Sequence, residues 1–364
     1  MKKKYFLIKF VHSFIFIAFI FVASIKGSAQ CAYPGGSPVS THTFCIDNPN
    51  TIATPNVTAG QYVSVNVVQG FTYTFSVRDI NPTANENLTL FNGSTNTALV
   101  GGFNSGSLSA SITWTATFSG LLKVLYSSGS CSNVANGNNG SISLVLNSVG
   151  NTLDSQNTFG TNQWVGHVYN HSDGPPPGGS ASPASPSTTQ SPFLSSNYVG
   201  YYNVTTETIN EGFGGSAACF NVLSNGLNLT NIYTDTFSVR YRMRSTRAAG
   251  CYLLNVNGDD GIRVYVDGVL VFTQWRQQGN TSYCNNLIYL NGNSDIVLDY
   301  YEHQGGNVVG FSLTPFNGST NTISSSSDVV VCSGSSPGLI DGSAFGSCNG
   351  GTNTIYQWQV SADN

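Results

Sequence analysis

The stretch Asn257-Gly-Asp-Asp-Gly-Ile-Arg-Val-Tyr-Val-Asp-Gly-Val-Leu-Val-Phe272 predicts a β-hairpin that is preceded by two adjacent carboxylates. Apolar and polar residues alternate over residues 262–266, which is the period of a half-buried strand, and Asp267-Gly268 is a two-residue hairpin turn. Asp259 and Asp260 therefore lie directly before a rigid strand. Two neighbouring carboxylates repel each other unless a cation or a proton offsets them. In a chain with only 8% charged residues, this pair predicts a loop that holds a cation.

Residues 1–29 have the features of a secretory signal peptide. Met1-Lys-Lys-Lys is a basic start, an apolar run extends through Phe14 to Val22, and Gly27-Ser-Ala29 offers small residues for cleavage. The mature chain is expected to begin near Gln30 or Cys31. A lipidated Cys31 is the alternative, which the bulky Gln30 disfavours. No later run is long enough to span a bilayer, so we expect a secreted protein or one on the extracellular cell surface.

The charge balance argues against nucleic acid as a partner. Five of the 13 basic residues lie in the signal peptide and all 17 acidic residues lie after it, which leaves a net charge of −9 on the mature chain. A nucleic-acid-binding protein needs a basic surface to contact phosphates. The 40 glycines and the abundant hydroxyl and amide side chains are typical of secreted β proteins.

The eight cysteines all lie after the signal peptide, which favours disulfides over catalytic thiols. They cluster along the chain as three, three and two. The last two, Cys332 and Cys348, are expected to pair with each other. The two odd groups imply either a bridge between domains or two unpaired thiols. Absence of any C-x-x-C motif argues against zinc and thioredoxin-type chemistry.

The region 31–150 predicts an all-β domain, because short alternating runs are separated by Gly, Asn and Ser. Representative strands are Tyr62-Val-Ser-Val-Asn-Val67, Phe71-Thr-Tyr-Thr-Phe-Ser-Val77 and Ser111-Ile-Thr-Trp-Thr-Ala-Thr-Phe118. In these runs the region resembles the jelly-roll modules that often open secreted proteins of the Bacteroidetes. Such modules are structural or spacer domains more often than ligand-binding ones.

The region 152–318 is predicted to be a second β-sandwich with one insertion. Residues 174–192, rich in Pro, Gly and Ser, cannot form a central strand or a helix. They could link two domains, but Trp164-Val-Gly-His-Val-Tyr169 lies before them and fits the opening strand of the same sandwich. A surface insertion is therefore preferred.

This second region resembles the PA14 domain, a β-sandwich of bacterial toxins, glycosidases and adhesins. Asp235-Thr-Phe-Ser-Val-Arg-Tyr-Arg242 resembles the central strand of that family, and Asp259-Asp-Gly-Ile-Arg-Val-Tyr-Val-Asp-Gly268 resembles its hairpin. Trp275 takes the place of the tryptophan after the hairpin. Asp299-Tyr-Tyr-Glu-His-Gln-Gly-Gly-Asn307 is similar to its closing segment. The resemblance implies tandem β-sandwiches, here a jelly-roll-like domain followed by a PA14 domain.

In the sugar-binding members of that family, two aspartates joined by a cis peptide bond and a later side-chain amide hold calcium. The resemblance places these ligands at Asp259, Asp260 and Asn307, with the Gly306 carbonyl beside them. The sugar then contacts the same ion through vicinal hydroxyls, and His303 is close enough in sequence to contact it. Carboxylate, amide and carbonyl oxygens are ligands that Ca²⁺ prefers. The expected cofactor is therefore Ca²⁺, and the expected partner is a glycan or polysaccharide.

Several of these residues also have a purely structural interpretation. Asp-Asp-Gly is a common turn sequence, Asn307 could be a turn residue, and His303 could be an exposed loop histidine. The aromatic residues Tyr300, Tyr301 and Trp275 lie in alternating strands, where core packing is favoured over sugar stacking. Four arginines line one strand face and its exit, where they could meet an acidic sugar or form a solvated surface: Arg240, Arg242, Arg244 and Arg247.

Catalysis is not expected. The mature chain has no His-Glu-x-x-His pair, no Gly-x-Ser-x-Gly elbow and no phosphate loop. His167 and His171 lie four apart, but the stretch predicts strand and turn instead of helix. Asp299 and Glu302 lie three apart on one predicted strand, where their side chains point to opposite faces, so they do not form a glycosidase pair.

The last segment predicts a linker, residues 319–328, and the start of an immunoglobulin-like repeat, residues 329–364, which ends in an incomplete strand. We therefore expect the front part of a longer adhesin in which the PA14-like domain binds carbohydrate through calcium. Two alternatives remain. One is a non-catalytic appendage of a secreted hydrolase, and the other is a structural stalk without a ligand.

Overall fold

The computed structural model describes residues 31–79, 86–103, 109–129, 131, 139–150, 154–170 and 192–316. These residues form 23 strands and one short 3₁₀-helix, Ser195–Asn197, with no α-helix among them. The predicted all-β fold with tandem sandwiches is confirmed, because the strands assemble into two pairs of sheets.

Ten strands lie in the first part of the chain. They are β1 (Thr41–His42), β2 (Cys45–Ile46), β3 (Thr51–Thr58), β4 (Tyr62–Val67), β5 (Thr72–Asp79), β6 (Glu86–Asn92), β7 (Ala98–Phe103), β8 (Ser109–Thr115), β9 (Gly120–Ser128) and β10 (Asn139–Ser148). One sheet has the order β1-β4-β9-β6-β7, and the sheet opposite has the order β3-β10-β5-β8.

The alternation of side chains along β5 shows why this part of the chain forms a sandwich. Tyr73, Phe75 and Val77 are buried between the sheets. The two threonines that flank Tyr73 face outward, where Thr72 and Thr74 each meet a threonine hydroxyl of β8, at 3.0 and 2.8 Å. A period of two therefore separates an apolar face from a hydroxylated one.

Thirteen strands lie in the rest of the described chain. They are β11 (Gly160–Thr161), β12 (Trp164–Asn170), β13 (Tyr198–Val204), β14 (Ile209–Gly212), β15 (Cys219–Ser224), β16 (Leu227–Tyr233), β17 (Phe237–Ser245), β18 (Gly250–Asp259), β19 (Gly261–Val266), β20 (Val269–Gln274), β21 (Thr281–Leu290), β22 (Ser294–Glu302) and β23 (Val308–Pro315). The larger sheet has the order β2-β16-β15-β13-β12-β17-β22-β19-β20, with β11 beside β17, and the smaller one has the order β14-β23-β18-β21.

The core of this second sandwich lies between those two sheets. Val239, Tyr241 and Met243 of β17 point into it and are fully buried. Trp164 of β12 packs edge-on against Phe311 of the opposite sheet, with ring centroids 4.8 Å apart. The arginines that alternate with these residues on β17 consequently face away from the core.

A disulfide joins the two sandwiches. Strand β2 leaves the first sandwich and pairs in parallel with β16 at the edge of the second, and Cys45 is bonded to Cys219 there. A second bond, Cys31–Cys131, closes the first sandwich. Cys284 is also disulfide-bonded, whereas Cys251 is a free, exposed thiol. Of the two alternatives for the two groups of three cysteines, a bridge between domains is therefore present, and it is Cys45–Cys219.

Several predictions concern segments outside the described residues: the signal peptide 1–29, nearly all of the insertion 174–192, the linker 319–328, the repeat 329–364 and the Cys332–Cys348 pair. The domain boundaries 31–150 and 152–318 stay predictions. Within the described ranges, no helix has the length and apolar character needed to cross a membrane.

Candidate metal centre

The candidate site lies where the chain passes from the smaller sheet of the second sandwich to the larger one. Strand β18 ends at Asp259 and β19 begins at Gly261, so the carboxylate pair forms the crossing. The peptide bond between Asp259 and Asp260 is cis. Asp259 pairs with Val308 of β23, and Gly261 pairs with Tyr301 of β22. The crossing is therefore held from both sheets.

Gly261 permits this close approach because it has no side chain. A Cβ atom at this position would lie 2.0 Å from Cε1 of Tyr301. Tyr301 is itself buried and packs edge-on against Trp275, with ring centroids 4.6 Å apart. The tyrosine and the tryptophan are thus part of the packing beneath the site.

Asp260 is fixed in place by backbone donors. Its side chain is buried, with 6% exposure. Its Oδ1 accepts a hydrogen bond from the backbone N–H of Gln278 and its Oδ2 accepts one from His303, each at 2.9 Å. These bonds tie the crossing to two loops of the sandwich and set the direction of the carboxylate.

Glu302, at the end of β22, supplies a third carboxylate to the site. One oxygen from each of Asp259, Asp260 and Glu302 lies within 4.8 Å of the others. The Tyr300 hydroxyl lies 2.6 Å from the Asp259 carbonyl and 3.0 Å from Glu302 Oε2. Glu302 Oε1 is buried and has no hydrogen-bond partner among the described residues. The cluster therefore contains an unused acceptor.

Burial raises the pKa values of all three carboxyl groups, and a neighbouring negative charge adds to the shift at Asp259 and Glu302. Burial, and then the Asp260 charge, raise the pKa of Asp259 to about 6. Burial and the same charge raise the pKa of Glu302 to about 9. Burial also raises the pKa of Asp260, although its backbone donors oppose the shift. The ionised cluster is unfavourable by itself, and a bound cation would offset its charge.

The loop between β22 and β23 brings the other predicted site residues close. A Cβ on Gly306 would lie 2.6 Å from Asp259 Oδ2, so its backbone runs directly past the carboxylate. The half-buried His303 donates its backbone N–H to Asp260, and its ring Nδ1 is buried without a hydrogen-bond partner in the described ranges. The structure thus brings Gly306 and His303 to the carboxylate pair.

The Asn307 side chain is engaged in holding a neighbouring loop. Its Oδ1 accepts hydrogen bonds from the backbone N–H groups of Phe213, at 3.1 Å, and Gly215, at 2.9 Å. Its Nδ2 donates to the Thr234 carbonyl at 3.0 Å. The predicted amide ligand lies next to the site in the chain, but both lone pairs of its oxygen are already used.

Sequence reasoning missed Glu302 as a member of the cluster, because it treated this residue only as half of a catalytic pair with Asp299. In the structure Asp299 faces the opposite side of β22 and binds Arg240 and Arg263 there, at 2.7 and 2.9 Å. The available signal was the two-residue spacing of Tyr300 and Glu302, which places both on the inner face. The register between β19 and β22 then brings Glu302 to the aspartates.

Three of the four arginines singled out in the sequence are paired with carboxylates. Arg240 binds Asp299, Arg244 binds Asp295 and Arg247 binds Glu207. His167 is buried on strand β12, and its ring nitrogens contact the Tyr198 hydroxyl and the Thr158 carbonyl. These contacts give His167 a packing role. His171 lies outside the described residues.

Comparison with protein families gives one match in the first sandwich. Residues 52–151 match the model of a domain of unknown function (DUF8695). A curated protein, the anti-sigma-I factor RsgI3 of Acetivibrio thermocellus, is 37% identical over 76 residues, which cover 20% of this chain and 12% of that protein. The chain thus spans a small part of this relative's length, and the family match does not include the acidic cluster.

Solved structures that are similar to this chain include PA14 domains and adhesin domains. The PA14 domain of the MpAFP antifreeze protein has 16% identity and a TM-score of 0.32, covering 46% of this chain and 88% of that one. The PA14 sugar-binding domain from an RTX adhesin has 16% identity and a TM-score of 0.30, covering 50% and 96%. An epithelial adhesin A domain from Candida glabrata, in complex with beta-lactose, has 14% identity and a TM-score of 0.29, covering 42% and 83%.

Proposed function

We propose that the second sandwich binds carbohydrate through a calcium ion held at Asp259, Asp260 and Glu302. The observation that carries this proposal is the close approach of three carboxylates. Among the described residues, none of the three forms an ion pair with a basic side chain. Hard cations such as Ca²⁺ are bound by several oxygen ligands of this kind.

The chemistry of the site fits calcium better than a transition metal. All three candidate donors are oxygens, whereas zinc sites in proteins commonly include thiolate or imidazole ligands. Glu302 Oε1 is a buried acceptor without a hydrogen-bond partner in the described part of the chain, as expected of an atom that has a ligand to bind. The Gly306 backbone runs beside Asp259, so its carbonyl is a further predicted ligand.

The surrounding residues would arrange the donors before the ion binds. The backbone N–H groups of Gln278 and His303 hold the Asp260 carboxylate, and Asn307 fixes the loop at residues 213–215. A bound calcium ion would supply coordination positions for vicinal sugar hydroxyls, as the PA14 resemblance implies. The His303 ring would contact the sugar beside it. Asn307 stays a predicted ligand, and coordination would require its Oδ1 to give up a backbone donor.

The proposed role is binding and not catalysis, in a protein exported to the cell exterior. The disulfides Cys31–Cys131 and Cys45–Cys219 support this location, because disulfide bonds form and persist in oxidising compartments. Together with the leader-like residues 1–29, they support a secreted or surface adhesin.

Calcium titration of the full mature chain tests the metal site. Isothermal calorimetry should detect one calcium site in the wild type and none in Asp259→Ala. The matched control is Asp295→Asn, which removes an acidic residue from the exposed pair with Arg244 and should leave calcium affinity unchanged. Retained calcium binding in a folded Asp259→Ala protein would refute the site.

A glycan array in calcium, and again in EDTA, tests the ligand. Binding that requires both calcium and Asp259 would support the proposal and identify the sugar class. Calcium binding by a folded protein that recognises no glycan would favour a structural role for the ion. Glycan binding that survives EDTA would contradict recognition through calcium.

A further inference from the structure

A cavity of about 340 Å³ lies on the outer face of the larger sheet of the second sandwich. Its floor is a block of four side chains on two neighbouring strands. Val165 and His167 of β12 lie in register with Asn203 and Tyr201 of β13. Directly opposed residues of an antiparallel pair point to the same face, so these four form one continuous surface. Val165 and His167 are buried although they face away from the core.

The roof of the cavity is the segment 154–158, and three of its residues, in alternation, are tied to the sheet or its turns. The contacts join Asp154 to Ser224 and Asn225, at 2.9 and 2.8 Å, Gln156 to Tyr169, at 3.3 Å, and Thr158 to His167, at 3.0 Å. A segment held at both ends and in its middle keeps the space beneath it open. The cavity is therefore preformed, as small-molecule sites in proteins usually are.

The wall carries hydrogen-bonding groups that the protein does not use. Within the described ranges, no hydrogen bond occupies the hydroxyl of Tyr201 or the side-chain amide of Asn203, and both residues line the cavity. The phenol hydroxyl can donate and accept, and the amide has two donor hydrogens and one acceptor oxygen. Ser155 and Thr158 add hydroxyl side chains from the roof. The wall can therefore bind several ligand hydroxyls at once.

The charge of the wall selects against an anion. Of the described residues that line the cavity, Asp154 is the only one charged at pH 7, because burial lowers the pKa of His167 to about 4. The donors of Ser224 and Asn225 already stabilise the Asp154 carboxylate, so no cation is required beside it. An anionic ligand would be repelled by this carboxylate. The wall therefore favours an uncharged ligand whose hydroxyls donate to Asp154.

The size and the apolar part of the cavity suit a single sugar ring. Small-molecule sites in proteins have volumes of about 300–1,000 Å³, and this cavity lies at the lower end of that range. Val165 lies in the floor beside the half-buried Tyr201. Such sites combine aliphatic and aromatic side chains with a few polar groups that orient the ligand. A pyranose has the matching character, with apolar C–H groups on its faces and hydroxyls around its rim.

We propose that this cavity binds one uncharged hexose residue, whose hydroxyls contact Asp154, Tyr201 and Asn203. The site shares no residue with the calcium proposal. Strands β12 and β19 are three steps apart in the sheet, which corresponds to ~14 Å, so one sugar residue cannot contact both sites. Binding in the cavity needs no calcium. It therefore stands or falls separately from the proposed calcium-dependent site.

The test uses three neutral methyl glycosides, those of glucose, galactose and mannose. Each is titrated into the full mature chain in EDTA, and binding is followed by NMR. At least one should bind with saturable shifts. Asn203→Ala should weaken that binding by roughly 3- to 10-fold, the effect of losing one or two hydrogen bonds to the sugar. The matched control is Asn228→Ala, which removes another exposed asparagine of the same sheet, outside the cavity wall, and should preserve the affinity.

Charged derivatives of the sugar that binds test the selection by charge. Its uronic acid should bind at least ~10 times more weakly, because a second carboxylate would lie close to Asp154 in a partly desolvated cavity. A uronic acid that binds as tightly as the neutral sugar would overturn the proposal. A 2-amino derivative that binds more than ~10 times more tightly than the neutral sugar would show a cation site, which would also overturn it.

The remaining outcomes are equally decisive. Failure of all three neutral glycosides to bind would overturn the proposal, as would an unchanged affinity in Asn203→Ala. If Asn203→Ala does not fold, Tyr201→Phe replaces it, and this variant should also weaken the binding. Asp259→Ala in EDTA should give the same titration as the wild type. Loss of binding in that variant would assign the sugar to the acidic cluster instead of the cavity.

Discussion

Replacing Asp259 with asparagine should stabilise the calcium-free protein. Asp259 is partly buried, and burial together with the Asp260 charge raises its pKa from 3.8 to about 6. Since the folded pKa lies above the unfolded one, ionisation of this carboxylate disfavours the folded state. The cost is absent below the unfolded pKa, develops as pH rises from about 4 to about 6, and is complete above the folded pKa. Asparagine has nearly the same shape and removes the charge.

The size of the pKa shift sets the magnitude. Two pH units correspond to roughly 3 kcal/mol, and partial exposure to solvent reduces this to about 1–2 kcal/mol. In EDTA at pH 7.5, Asp259→Asn should therefore increase the free energy of unfolding by about 1–2 kcal/mol, which raises the melting temperature by ~2–8 °C. At pH 4 the two proteins should melt together. The backbone N–H of Asn280, which donates to the carboxylate, still finds an acceptor in the asparagine amide oxygen.

Calcium should reverse this order. A ligand at one hundred times its dissociation constant stabilises the protein that binds it by about 2.7 kcal/mol. The wild type should gain that increment and Asp259→Asn should not, so the wild type becomes the more stable protein when calcium is present. Thermal unfolding in EDTA and in calcium, at pH 4 and pH 7.5, measures all of these differences. The prediction is refuted if Asp259→Asn melts below the wild type in EDTA at pH 7.5, or if calcium stabilises both proteins equally.

Three further predictions concern stability away from the carboxylate charges. Gly261→Ala should lower the free energy of unfolding, measured by urea denaturation, by about 3 kcal/mol, because the new Cβ would overlap the buried Tyr301 ring. Gly279→Ala is the control, since the space around its new Cβ is open, and it should leave the urea midpoint nearly unchanged. Burial lowers the pKa of His167 from 6.5 in the unfolded chain to about 4 in the folded protein, so its contribution to the free energy of unfolding is fully present above pH 6.5. Up to roughly 3 kcal/mol of that free energy is lost as the pH falls towards about 4. His167→Asn should therefore reduce the change in stability between those two pH values. Removing the Cys45–Cys219 bond with serine at both positions should cost about 3–5 kcal/mol, measured by thermal unfolding, because the bond closes a loop with a sequence separation of 174.

Each of these predictions has a control. Cys251→Ser removes a free, exposed thiol and should leave the melting temperature unchanged. Equal unfolding midpoints for the two glycine variants would show that Tyr301 moves aside at no cost. A pH profile that His167→Asn does not change would assign the acid sensitivity to other groups.

Much of the site could be predicted from the sequence where its features are local. The hairpin, its turn and the adjacent carboxylates all lie within residues 257–272, and the alternation of apolar residues there is a property of neighbours in the chain. This local pattern predicts Asp259 and Asp260 as site residues. The PA14 resemblance adds the loop with Gly306 and His303, and the structure places Gly306 beside Asp259 and His303 beside Asp260.

The remaining members of the site depend on which strands pair. Glu302 joins the carboxylates only because Tyr301 pairs with Gly261, a register that joins segments about forty residues apart. The Asn307 amide is engaged with the loop of Phe213 and Gly215, almost a hundred residues earlier. Neither contact leaves a signal in the local pattern of residues.

The sequence by itself determined the all-β class, the strand periodicity, the hairpin and the paired aspartates, because each depends on side chains that alternate along one segment of chain. Only the tertiary structure decided that Glu302 completes an acidic cluster, that Cys45 joins the two sandwiches, and that Arg242 alone among the arginines of its strand face has no carboxylate in the described residues. The physical reason is that charge pairing and disulfide bonding depend on distances in space, and in a sheet protein those distances are set by pairing between strands remote in the chain.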